Sequence, residues 1–155
     1  STYLTILGFN SAIPTINSSP TSQFLEMEER HFLIDCGEGT QVQMRKAKVR
    51  FSKINHIFIS HLHGDHCFGL PGLVASFRLL GRKTPLNIYG PKGIKKMMDT
   101  IFEITETYKG FEVIYHELLS FKASVEGAFS VDVFASAEEW SNSGVSIRSK
   151  AFTSK

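Results

Sequence analysis

The 155 residues correspond to one domain of ordinary size, and 42 % apolar content is enough for a core and excludes global disorder. A formal charge of +2, from 17 basic and 15 acidic residues, does not by itself indicate nucleic acid, and the short, broken apolar runs exclude a bilayer span and a membrane partner. The first residues show no leader pattern, and two cysteines, Cys36 and Cys67, make no disulfide framework, so the expected compartment is a reducing cytoplasm.

In chain order, residues 3–9 alternate and are rich in β-branched and aromatic side chains, which predicts a strand. Residues 10–21 hold two prolines, two asparagines and several hydroxyl residues, and read as a long loop. Residues 23–27 and 31–36 predict a hairpin closed by Glu28-Glu29-Arg30. After Gly37-Glu38-Gly39, Thr40 with Gln43 fits a capping box that opens a helix to about Val49. Residues 54–60 (Ile-Asn-His-Ile-Phe-Ile-Ser) predict a strand buried on both faces.

Beyond the loop that follows, Leu70, Leu73, Val74, Phe77 and Leu80 recur at helical spacing, and Gly81 ends that helix. Residues 85–89 predict a short strand, Ile94, Met97, Met98, Ile101 and Ile104 an amphipathic helix, and residues 111–118 a further strand. Strands alternating with helices imply an α/β layered domain. Past residue 119 the character changes. Residues 120–155 contain nine serines and no histidine, with apolar residues for one or two strands and a loose polar tail from Ser141.

The basic residues cluster locally: Arg45, Lys46, Lys48, Arg50 and Lys53; then Arg78, Arg82 and Lys83; then Lys92, Lys95 and Lys96. Such patches suit phosphates, although each reads as readily as a solvated helix face. The chemistry concentrates instead in Ser60-His61-Leu62-His63-Gly64-Asp65-His66. Four donors fall within six residues. In an extended loop, residues two apart point the same way, so His61 and His63 can face one ion. Gly64 lets the backbone turn, so that Asp65 and His66 can face a second ion. Imidazole and carboxylate donors suit zinc, with manganese or iron as alternatives. A metal there would acidify a bound water, and Asp65 can both hold metal and take the proton. His31, His56 and His116 read as packing or surface residues.

His61-Leu62-His63-Gly64-Asp65-His66 resembles the HxHxDH motif of the metallo-β-lactamase superfamily. Within that superfamily, four further segments are similar to ribonuclease Z, the tRNA 3′-processing endonuclease. They are Leu7-Gly8-Phe9-Asn10-Ser11-Ala12-Ile13-Pro14-Thr15, Asp35-Cys36-Gly37-Glu38-Gly39-Thr40-Gln41, Gly69-Leu70-Pro71-Gly72-Leu73 and Ile88-Tyr89-Gly90-Pro91-Lys92-Gly93. The resemblance covers residues 3 to about 118. It implies a metallo-β-lactamase-like αββα sandwich, two zinc ions, hydrolysis of a phosphodiester in precursor tRNA, and a homodimer. By position, His61 and His63 bind one zinc, and Asp65 and His66 the other. Asp65 is also the proton acceptor. Asp35 then orients a ligand histidine, or is simply a turn former before Gly37.

The family domain is about twice this length, so residues 1–118 read as its first half only and residues 119–155 as an unaligned Ser-rich tail, part strand and part disordered. The ligand set is then incomplete. A truncated or frame-shifted product is expected. A fragment completed by a partner chain or by self-association, or a reduced protein with another role, would also account for the missing half. One sheet face is expected to lie bare. Two other functions share these residues: a small-molecule hydrolase of the same fold, such as a thioesterase or arylsulfatase-like enzyme, and a non-catalytic tRNA-binding fragment.

Overall fold

The computed structural model describes residues 1–10, 13–108, 110–117, 121–125, 129–134 and 146–149. Three strands open the chain: β1 (Thr2–Gly8), β2 (Ser22–Met27) and β3 (Arg30–Ile34). The β2–β3 connection is a two-residue turn, with Glu28 at φ 48° and Glu29 at φ 68°. Positive φ at both positions matches the twist of the flanking strands, and Arg30 already belongs to β3, opposite Met27. The chain continues through α1 (Thr40–Lys46), a 3₁₀ turn at Phe51–Lys53, β4 (Ile54–Phe58), the single turn α2 (Gly64–Cys67), α3 (Leu70–Leu79), β5 (Leu86–Gly90), α4 (Ile94–Ile104) and β6 (Val113–Glu117).

The six strands form one sheet in the order β1-β2-β3-β4-β5-β6, antiparallel at first and parallel from β3 onward. Each parallel step needs a crossover. Because the strands advance in one direction, crossovers of one hand put every helix on the same face. Met44, Leu73, Phe77, Ile94 and Met98 from the helices accordingly share one core with Phe24, Leu33, Ile57 and Ile88 of the sheet. Strand register places Leu25, Phe32 and His56 on the opposite face, as it does Ile6, Phe58 and Tyr89. That face was expected bare. Leu4 and Ile6 at its β1 edge are indeed more than half exposed, whereas Phe32, His56, Phe58 and Tyr89 are buried. Among the described residues, no helix is long and apolar enough to cross a membrane.

Three further strands, β7 (Phe121–Val125), β8 (Phe129–Phe134) and β9 (Ser146–Ser149), pair antiparallel in a second sheet. The rest of the tail expected from Ser141 onward lies outside the described residues.

The capping box expected at Thr40 is absent. Gly39, at φ 82°, caps α1 instead, and the Thr40 hydroxyl donates to the Gly37 carbonyl at 2.7 Å. Helix α1 also stops short of Val49. Lys48 takes φ 56° and donates to the Arg45 carbonyl, while Val49 reaches back to that of Met44. This is a Schellman ending without glycine. The same pair of bonds closes α3 through Gly81 and Arg82, and α4 through Glu106 and Thr107.

Two glycines stitch the segment after β3 to α2 and α3. Gly69 donates to the Cys36 carbonyl at 2.9 Å, and Cys36 donates to the His66 carbonyl at 2.8 Å. A Cβ on Gly69 would meet the Gly37 oxygen at 2.2 Å, and one on Gly37 would meet the Asp65 oxygen at 2.5 Å. Gly69 is right-handed helical, φ −80°, so alanine suits its backbone and the conflict is purely steric. Gly69→Ala is therefore expected to cost about 1–3 kcal/mol through overpacking. Urea unfolding measures it, and a midpoint equal to wild type would mean that the two segments separate freely.

Candidate metal centre

Strands β3, β4, β5 and β6 run parallel, so their C-terminal ends share one edge of the sheet, the usual place for a site in an α/β layer. Asp35 follows β3 there, and the histidine segment follows β4. Asp35 stands at φ 60°, a left-handed conformation that Asp tolerates better than most residues. Its backbone N–H continues the ladder to the Phe58 carbonyl at 2.7 Å.

The Asp35 carboxylate is the hub of the buried part of the site. Oδ1 accepts from the Ser60 backbone N–H at 2.8 Å and from the Ser60 hydroxyl at 2.8 Å. Oδ2 lies 2.8 Å from that hydroxyl and 2.9 Å from His66 Nδ1. Asp35 and Ser60 are both buried. The Asp35 hydrogen bond is the main reason His66 titrates above the usual histidine value, with burial opposing it. With Nδ1 held, His66 turns Nε2 toward Asp65, whose Oδ2 lies 3.4 Å away.

The other two histidines meet beside this pair. The His61 and His63 rings are 3.9 Å apart, edge to face, and the His61 and His66 rings 5.5 Å apart. The structure thus brings all four expected donors to one edge and packs Asp35 directly against one of them. Among the described residues, no three His, Cys, Asp or Glu side chains already stand as a complete metal site. The donors come in pairs. Their chemistry, with one imidazole nitrogen anchored and the other directed at a carboxylate, fits a metal ion, as zinc-bound histidines are commonly oriented.

Gly64 does not act as the sharp turn expected of it. It opens the helical turn α2, with His63 as the extended residue before it. What glycine permits is the approach of Phe68, whose ring atoms would lie 2.2–2.6 Å from an added Cβ. A cleft of about 350 Å³ opens here, lined by Pro20, Glu38, His63, Gly64, Asp65 and Phe68. Ser60, Glu38 and Phe68 were not singled out from sequence. Ser60 carried one signal, its place at the end of a buried strand.

The remaining histidines are packing residues. His31 lies at the opposite end of β3, edge-on to Phe24, and burial lowers its pKa. Buried His56 shares a 3.2 Å hydrogen bond with the Tyr89 hydroxyl, and His116 stacks on Tyr89 at 4.3 Å. The basic clusters divide. Arg82 is buried and unavailable to phosphate. Lys95 pairs with Asp99 at 2.6 Å. Lys48, Arg50 and Lys53 line a larger cleft of about 960 Å³ together with Glu26, Glu28 and Glu29. That cleft lies away from the donors, and its mixed charge gives phosphate no clear advantage.

Known proteins share this architecture. The family described as Anti-Pycsar protein Apyc1 matches residues 2–149. Ribonuclease Z of Bacteroides fragilis is 48 % identical over 122 residues, which are 79 % of this chain and 40 % of that protein. The crystal structure of human tRNase Z, short form, is similar with a TM-score of 0.77 and 33 % identity, over 84 % of this chain and 59 % of that one. The metallo-β-lactamase fold protein YhfI of Bacillus subtilis shares the fold, with a TM-score of 0.68 and 18 % identity over 86 % of this chain and 52 % of that one. The chain spans about two fifths of the length of the ribonuclease Z that it matches. The expected fold, the first half of a metallo-β-lactamase-like αββα sandwich, and the resemblance to ribonuclease Z both hold.

Proposed function

Because this chain belongs to the family described as Anti-Pycsar protein Apyc1 and is similar to the first part of ribonuclease Z, we propose that it carries half of the centre of a zinc-dependent endonuclease acting on precursor tRNA 3′ trailers. The observation that carries this reading is the hydrogen bond from His66 Nδ1 to Asp35, which leaves His66 Nε2 beside Asp65 and next to the His61–His63 pair. His61 and His63 would hold one ion, and Asp65 and His66 the second. When bound there, zinc would acidify a water toward neutral pH and offset the negative charge of the phosphodiester. Asp65 takes the proton from the attacking water. Asp35, braced by Ser60, fixes the ring and tautomer of His66. The same resemblance carries the cytoplasmic homodimer.

Two protein donors per ion are fewer than the three that a catalytic zinc usually keeps. The pure 155-residue chain is therefore expected to bind zinc weakly and to trim precursor tRNA poorly. Zinc titration by calorimetry and cleavage of a precursor tRNA measure both. Zinc-dependent 3′ trimming at an ordinary turnover rate would show that the four donors suffice. Turnover of a thioester but not of bis-p-nitrophenyl phosphate would favour a small-molecule hydrolase. A salt-dependent gel shift with tRNA, unchanged in His63→Ala and Asp65→Ala and with no cleavage, would favour a binding fragment.

A further inference from the structure

Phe68 sits between core residues yet faces solvent. Cys67 and Leu70 are fully buried, while Phe68 is 71 % exposed. It follows His66 by two residues and lines the cleft that holds His63 and Asp65. A Cβ added to Gly64 would fall 2.2–2.6 Å from three atoms of the Phe68 ring, so the ring rests against Gly64. Gly64 has an ordinary helical backbone, so glycine at this position serves the ring rather than the turn. A ring that rests against main chain on one side and is open on the other can receive a flat partner on its open face. Those are the properties of a stacking platform.

The rest of the cleft selects the occupant. Among the described residues its lining holds no lysine or arginine, and Glu38 opposes a phosphate there. A volume of about 350 Å³ lies at the small end of ligand pockets, which suits one nucleoside rather than a duplex. Of its two carboxylates Asp65 belongs to the expected donor set, which leaves an aromatic face, a proline and Glu38 to fit a base whose amino group donates to Glu38.

We propose that Phe68 stacks a nucleobase of single-stranded RNA beside the phosphodiester presented to the donor cluster, with Glu38 accepting a hydrogen bond from the base's amino group. This rests on the nuclease reading and extends it. The substrate is unpaired at the point of attack and is held there by a base as well as by its backbone.

Binding without turnover tests the platform separately from the chemistry. In Phe68→Trp, a single-stranded oligoribonucleotide is expected to quench the added indole fluorescence, measured against the wild-type chain with its Trp140. An abasic oligomer of equal length and charge is expected not to. Phe68→Ala is expected to bind the oligoribonucleotide about tenfold more weakly, and Phe68→Tyr to match wild type. Glu38→Gln is expected to narrow the preference for amino-bearing bases over uracil.

Equal quenching by the abasic oligomer, undiminished binding by Phe68→Ala, or no binding of either oligomer overturns the proposal. So does a blue-shifted, RNA-insensitive indole in Phe68→Trp, which would show that a second copy of the chain covers the ring. Trimming that persists alongside any of these outcomes would leave the nuclease reading standing. Base-dependent quenching by a chain that shows no zinc binding in calorimetry would remove that reading and keep the platform.

Discussion

Asp35→Asn is expected to weaken zinc binding by about 10- to 100-fold while the fold survives, the usual effect of losing a partner behind a ligand histidine. Asparagine keeps the shape, tolerates the φ of 60° and can still accept from Ser60. It cannot accept equally on both sides. An amide N–H₂ facing His66 Nδ1 donates to it and leaves the proton on Nε2, the atom turned toward Asp65. The other amide orientation points N–H₂ at the Ser60 N–H. That orientation keeps an acceptor for His66 Nδ1–H, but only against a buried donor–donor clash at Ser60, so the metal-binding tautomer is held less firmly than by the carboxylate. Asp35→Ala goes further, because it strands a buried Ser60 N–H and places alanine at positive φ. A stability loss of roughly 2–4 kcal/mol is expected. Competition with a chromophoric chelator reads the affinity and urea unfolding reads the stability. Unchanged zinc affinity in Asp35→Asn would reduce Asp35 to a turn former.

The same pair sets a pH dependence. His66 titrates above 6.5 in the metal-free fold because of Asp35. Its contribution to stability is then fully present below about 6.5 and lost as pH rises through the raised pKa. Zinc binding runs the opposite way, because the ligand must be neutral, and strengthens over the same interval. A proton NMR titration of the metal-free chain should place the His66 midpoint above 6.5, and Asp35→Asn should lower it.

Arg82→Met is expected to cost about 3–5 kcal/mol, the range for dismantling a buried charged hydrogen-bond cluster. The guanidinium donates to the carbonyls of Ile54 at 2.8 Å, Thr84 at 2.9 Å and Pro85 at 2.7 Å, and to Asn55 Oδ1 at 2.9 Å. It also lies 5.3 Å from the Phe77 ring centre and 5.6 Å from that of Phe111. One side chain thus fastens the start of β4 to the connection that leads into β5. Burial lowers its pKa, yet arginine remains charged where lysine would lose its proton more readily. Arg82→Lys is expected to recover only a minor part of the loss, because an ammonium cannot span four divergent acceptors. A urea midpoint for Arg82→Lys within error of wild type would show that charge, rather than the fork, secures the contact.

Much of this was legible because it is local. Alternation and helical spacing located the six strands of the main sheet and its longer helices, since those patterns depend on neighbours a few residues apart. The four donors were legible for the same reason: a strand end and two-residue spacing bring His61 and His63 together whatever the rest of the chain does. Features set across the sheet were not. Asp35 lies 25 residues from Ser60 and 31 from His66, and only the parallel register of Ile34 with Phe58 brings them into contact. The endings at Lys48 and Glu106 lacked the glycine that marks such turns. Arg82, counted in sequence among surface cations, is drawn inward by the Schellman turn of α3, where Gly81 carries it back over Phe77. Composition and spacing marked which residues are expected to bind metal. Tertiary structure decided which of His66's two nitrogens is free to do so, because the hydrogen bond that selects it comes from a neighbouring strand.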